Sequence, residues 1–308
     1  MNDRSPSAAS VQQLAEGAYG YVQPDGSWYI NNCGFVSGGD HTVLIDTCAT
    51  ERRTRALLAA VETTTGGRAA TVINTHHHGD HTNGNYLTGG ATIIGHRRTR
   101  EELLATGIQT YDGLFTGSDW GHLELRVPDV VFDDRLTVYA GDVELQLIHP
   151  GHAAHTTNDV LVWLPAQRVL YCGDLVFNGG SPFAVMGSVA GWLAALDLVR
   201  ELEPLTILPG HGPVCGLEQV EVVARYLRFV QETAERGRSA GLTPLELVRE
   251  TDLGEFAVLA EQERLVGNLH RAYAELDGGA VLGAPIDLAA AFTDMVIFNG
   301  GAPIRCFS

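Results

Sequence analysis

Between Thr75 and His81 the chain reads Thr-His-His-His-Gly-Asp-His, which places four imidazoles and a carboxylate within seven residues. No other stretch restricts the fold as much, because so many lone pairs at one spot are stable chiefly around a cation. The run TVIN just before it has the character of a short buried strand, and the residues after it read as a helix start. The donors therefore sit on a strand-to-helix loop. Neutral imidazoles and carboxylates suit zinc, and two sites need more donors than this loop supplies.

Three later segments offer them: Gly151-His152-Ala153-Ala154-His155-Thr156, Cys172-Gly173-Asp174 and Pro209-Gly210-His211-Gly212. Each borders an expected strand and contains glycine, as do loops that gather distant sequence at one edge of a fold. His149, His152 and His155 lie close together, and residue type alone leaves the donor among them open.

The chain as a whole expects an α/β fold of two mostly β layers with helices outside. Residues 1–15 read as a flexible arm. Strand-like runs follow at AYGYVQ, SWYINNCGFV and HTVLIDT, then a helix over ATERRTRALLAAVE. The order strand, helix repeats at ATIIG and RRTREELLATG, and a β-rich stretch runs from Asp129 to Cys172. Helices dominate after Gly191, and Thr243-Pro244-Leu245-Glu246 has the Thr, Pro and Glu of a capped helix start. One domain over residues 16–308 is expected, its part from about 216 onward a helical extension.

Composition excludes several classes of partner. Twenty Lys plus Arg stand against 37 Asp plus Glu, a formal charge of −17 with no basic block, which disfavours nucleic acid and anionic membrane. No run stays apolar for the roughly 18 residues of a membrane span. Five cysteines without a CxxC pair read as reduced thiols, Cys172 and Cys215 among them as core residues. A cytoplasmic protein is expected.

Taken in order, HxHxDH at His76 to His81, His155 in an AHTxxD setting, GD at Asp174 and PGHG at His211 resemble the metallo-β-lactamase superfamily, over about Val22 to Pro213. The resemblance implies an αββα sandwich and two Zn²⁺ per chain. By its pattern His76, His78 and His155 hold the first ion, Asp80, His81 and His211 the second, and Asp174 bridges. It singles out His155 because Thr156 follows it and Asp159 comes shortly after, and it leaves His77 in a variable slot. A hydroxide between the ions would attack an acyl carbon, oriented by Asp80, since zinc lowers the pKa of bound water to about 7. Asp at the bridging position, where the family's β-lactamases usually carry Cys or Ser, points to thioesterase-like and lactonase-like members. His78 separates the chain from flavo-diiron members, which have Glu there.

The segments NTHHHGDHTNGNY, GDLVFNGGSPF, GSVAGW, PGHGPVCG and GNLHRAYAEL further resemble actinomycete members of the superfamily. Some of these are second-ring cyclases and thioesterases of type II aromatic polyketide pathways. That implies an aromatic intermediate on an acyl carrier protein as substrate. Phe177, Asn178 and Phe183 are expected to line the pocket, with Trp28 and Tyr29, on an early hairpin, as the opposite wall. The alternatives are a general hydrolase of the fold (lactonase, glyoxalase II-like thioesterase or weak β-lactamase), an iron-dependent sulfur dioxygenase and a zinc-storing scaffold.

Overall fold

The computed structural model describes residues 8–111, 113–278 and 281–308. In chain order its first half comprises β1 (Ser10–Ala15), β2 (Ala18–Val22), β3 (Cys33–Gly38), β4 (His41–Ile45), α1 (Glu51–Thr65), β5 (Thr71–Ile73), α2 (Gly79–Thr82), β6 (Thr92–His96), α3 (Arg97–Thr106), β7 (Phe115–Thr116), β8 (Val130–Phe132), β9 (Arg135–Ala140) and β10 (Val143–Ile148). There follow β11 (Leu161–Leu164), β12 (Val169–Tyr171), α4 (Val189–Glu201), β13 (Thr206–Leu208), α5 (Leu217–Ala240), α6 (Pro244–Glu250), α7 (Arg264–Gly278), α8 (Leu288–Phe298) and β14 (Ile304–Arg305).

Two-residue periodicity decides how the layers stack. On β3, β4 and β5 the residues Val36, Val43, Ile45 and Ile73 face the second sheet, while Phe35, Leu44 and Val72 face α1. The first sheet runs β1-β2-β3-β4-β5-β6-β8, antiparallel up to β4 and parallel beyond it. The second runs β13-β12-β11-β10-β9, with only β12 and β13 parallel. Leu145, Leu147, Val162 and Tyr171 of this sheet close the core between the sheets, and Leu161, Trp163 and Leu170 pack outward against α4, α5 and α7. Helices outside two stacked sheets make the αββα sandwich, and α5 to α8 thicken one side of it. Gly34 is required there, because a Cβ would run into the Tyr171 ring crossing from the other sheet.

The capping box at Thr243 forms with Pro244 at the first helical turn and Glu246 reaching back. Three local expectations are corrected. Ser10–Ala15, read as part of a mobile arm, is an edge strand paired with β2, because that pairing satisfies its backbone despite its polar side chains. Ser27 to Asn32 form a loop and not a hairpin strand: Tyr29 sits at φ +60°, and Asn31 and Asn32 donate their amides to Thr47 O, Pro209 O and Gly212 O. The last residues are not helical; β14 returns to pair with β7, and Cys306 Sγ donates to Trp28 O at 3.1 Å. Among the described residues no helix is long and apolar enough to cross a membrane.

Candidate metal centre

The donors follow strand ends at one edge of the sandwich: the His-rich loop after β5, Asp174 after β12, His211 after β13, and His155 between β10 and β11. Asp46 follows β4 with φ +63°, a strained conformation for a residue with a side chain, and accepts from Thr75 N and Oγ1 at 2.7 Å each. Its carboxylate also accepts from His81 Nδ1 at 2.8 Å, which turns Nε2 inward to 3.1 Å from Asp174 Oδ1. His155 Nδ1 donates to Phe183 O at 2.6 Å, leaving Nε2 3.0 Å from His78 Nδ1 and 3.4 Å from Asp174 Oδ2. His76 Nδ1 lies 3.1 Å from the Thr75 hydroxyl and its Nε2 3.9 Å from Asp174. His211 Nε2 stands 3.2 Å from Asp80 Oδ2 and 3.4 Å from Asp174 Oδ2. In this way one ring nitrogen of His76, His81 and His155 is tied to the scaffold while the other faces in.

Two donor groups result. His76, His78, His155 and Asp174 bring ligand atoms within 4.8 Å of one another, and so do Asp80, His81 and His211. Asp174 approaches both groups, so its carboxylate stands between them. Gly210 permits this, since a Cβ there would strike Asp174 Oδ1.

The residues fit two cations. His76 Nε2, His81 Nε2 and Asp174 Oδ1 are buried and make no aligned hydrogen bond, a loss of about 1–3 kcal/mol each unless something else satisfies them. Burial pushes the pKa of His76 and His78 well below the ordinary imidazole value, so both keep lone pairs at neutral pH. Burial opposes charge on His81 and His211 too, but the carboxylates of Asp174 and Asp80 outweigh it, lifting His81 well above the usual value and His211 to about 8. Burial likewise disfavours charge on Asp174, yet His211 and His81 hold its carboxyl well below the carboxylate range. The carboxylates call for positive charge in the space the imidazoles share.

The description of the family model that matches residues 26–211 is the metallo-beta-lactamase superfamily, and that span contains every donor above. The chain belongs to this superfamily. It is 25% identical over 238 residues to a protein of Bacteroides fragilis named metallo-beta-lactamase type 2, covering 73% of this chain and 88% of that one. It is 28% identical over 146 residues to a hydroxyacylglutathione hydrolase of Actinobacillus pleuropneumoniae, covering 45% and 60% of the two chains. A solved metallo-beta-lactamase from Pontibacter korlensis superposes with a TM-score of 0.61 at 19% identity, over 72% of this chain and 99% of that one, a likeness of fold.

Within this superfamily member the histidines beside the donors in sequence have structural partners. His152 lies beside its neighbour's carbonyl, Ala153 O, at 3.2 Å, and His149 stacks on His96 with ring centroids 4.1 Å apart. Asp159 accepts from Thr156 N and Oγ1 at 2.8 Å each and so shapes the loop that presents His155. His77 Nδ1 pairs with the side-chain amide of Asn158, 3.0 Å from its Nδ2, and burial lowers its pKa to about 4.

A cleft opens over both donor groups. Trp28, Tyr29, Phe177 and Phe183 line it; Phe177 stacks on His211 with centroids 5.1 Å apart and planes 2° apart. Asn178, expected with them, does not: its amide N donates to His211 O and its side chain to Pro213 O, which commits it to holding the His211 loop. Reading the sequence missed Asp46 and the walls supplied by Tyr111, Phe115, Arg264 and Phe292. An aspartate ending the apolar run HTVLID was a usable signal for the first; nothing local marks the others.

Proposed function

We propose that this chain is a dinuclear zinc hydrolase of acyl esters and thioesters with bulky aromatic acyl groups. The specific substrate favoured is an aromatic polyketide intermediate on an acyl carrier protein, released by hydrolysis or closed into a second ring at the same site. One observation carries the reading: a single cleft has both donor groups as its floor and aromatic rings as its walls. Imidazole and carboxylate donors without a thiolate suit zinc. When bound, a zinc pair supplies an electrophile for the acyl carbonyl and water of lowered pKa.

The chain's own residues do the rest. Burial opposes charge on Asp80, but His81 and His211 outweigh it and keep its carboxyl ionised at the cleft floor, able to orient water and accept its proton. Burial raises the pKa of the Tyr111 phenol, so it stays a hydrogen-bond donor at the cleft wall. Trp28, Phe115 and Phe183, packed ring to ring at 5.0 and 5.1 Å, exclude water around an apolar acyl group. The relative named for hydroxyacylglutathione hydrolysis supports acyl transfer to water. Five free cysteines support a reducing, cytoplasmic setting.

A second reading, cleavage of β-lactams, is favoured by the name of the Bacteroides relative; the aspartate at position 174 weighs against it. The test is metal analysis of protein purified without added metal, followed by turnover of an aromatic acyl thioester, a lactone and a cephalosporin. Near two zinc per chain with thioester hydrolysis supports the proposal. One iron per chain overturns it, and fast cephalosporin cleavage without thioester turnover establishes the second reading.

A further inference from the structure

The helical extension places one cation in the wall of the cleft. Arg264, at the start of α7, is 1% exposed, and its guanidinium carbon lies 4.0 Å from the Trp28 ring centroid and 5.2 Å from that of Phe177. Phe177 stacks in turn on His211, so the charge sits one ring away from a metal donor. Among the described residues that line the cleft, no other lysine or arginine is present.

The guanidinium is under-used by the protein. It donates to Ser181 O at 2.8 Å, while its Nε is buried without a partner. Among the described residues no carboxylate forms an ion pair with it within 4.0 Å. The neighbouring Glu263 accepts from Trp28 Nε1 at 2.7 Å. Burial and the neighbouring Glu263 push the Glu261 carboxyl above the usual carboxylate range against the pull of Arg264. A buried guanidinium without a direct ion pair is costly, and holding one backbone carbonyl needs only a neutral donor. A ligand anion in the cleft would supply the direct partner that the guanidinium and its unpaired Nε lack.

We propose that Arg264 is the anion-recognition residue of this cleft, and that the substrate's acyl group carries a carboxylate or an equivalent anionic group beside its aromatic part. This rests on the acyl-hydrolase reading above and adds what the site selects. A guanidinium already stacked between two rings offers its edge to a carboxylate and its flanking rings to an aromatic skeleton. Arg264 lies beyond residues 26–211, the span shared with the family model, so the selectivity belongs to the extension and not to the common fold.

The test compares two thioesters of naphthalene-2,6-dicarboxylic acid on the metal-loaded full chain: one with the second carboxyl free, the other with it methylated. The free acid is expected to be preferred at least tenfold in kcat/KM, mostly through KM. In Arg264→Met that ratio collapses toward one, and Arg264→Lys, which keeps the charge without the planar fork, is intermediate. Lack of preference in the native chain, or an Arg264→Met variant that slows both substrates while keeping their ratio, overturns the proposal. If the methionine variant does not fold, the lysine variant decides alone, and an unchanged ratio there overturns it. Calorimetry of the free diacid against its half methyl ester needs no turnover and separates the two readings. Arg264-dependent preference for the diacid without hydrolysis of either thioester means the hydrolase reading fails and this one stands; hydrolysis without acid preference means the reverse.

Discussion

His81 Nδ1 donates to Asp46 Oδ2 at 2.8 Å, and this contact decides which nitrogen of His81 faces Asp80 and Asp174. Asp46 is itself fixed by Thr75, the residue that opens the histidine loop, so strand β4 and the metal loop are set by one carboxylate. Asp46→Asn is expected to weaken metal binding at the Asp80, His81 and His211 group by about 10–100-fold, the usual effect of losing a carboxylate behind a ligand histidine. Competition with a chromophoric chelator measures it. Unaltered affinity would show that Thr75 and the backbone alone orient His81.

His155 and His152 are three residues apart, but only His155 has its Nε2 beside His78 and Asp174. His155→Ala is therefore expected to lose the metal of the His76 group, and His152→Ala to retain it. Metal content of the two purified variants checks this. A drop to one ion per chain in His152→Ala instead would mean the loop presents a different imidazole in solution.

His211 sets a pH dependence. Its pKa in the folded chain, about 8, is raised above the unfolded value of about 6.5, so its ion pairing with Asp174 and Asp80 contributes stability fully below about pH 6.5. That contribution is lost as pH rises through about 8, and His81, also raised, acts in the same sense. Metal-stripped protein should therefore lose melting temperature between about pH 6.5 and 8.5, whereas metal affinity should rise over the same window as the proton ceases to compete. Thermal melts of the stripped native chain beside His211→Asn decide it: parallel pH profiles would remove His211 as the origin.

Phe183 meets Trp28 edge-on at 5.1 Å and lines the cleft, while its carbonyl holds His155. Phe183→Leu keeps the carbonyl and some volume but removes the flat wall. Losing a well-packed aromatic contact costs on the order of 1–3 kcal/mol in transition-state binding, so the kcat/KM ratio of aromatic to acetyl thioesters should fall about tenfold or more. Equal losses on both substrates would show that the ring supports the His155 loop and not the acyl group.

The sequence by itself determined the donor chemistry and the layer pattern. Imidazoles and carboxylates at His76 to His81, His155, Asp174 and His211 are legible because metal binding depends on residue type and local spacing, and glycine-bearing loops after apolar runs mark strand ends. The alternation Phe35-Val36 against Val43-Leu44-Ile45 likewise encodes two faces before any partner is known. Tertiary structure alone decided the rest. Ser10–Ala15 becomes a strand only because β2 offers its edge, and Asp46 becomes the partner of His81 only because parallel β4 and β5 lie side by side. Arg264 and Phe292 reach the cleft because α7 and α8 pack back over it. Such walls are built from contacts between residues far apart in sequence, and an aromatic or a buried arginine at helical spacing looks the same locally whether it faces a core or a substrate.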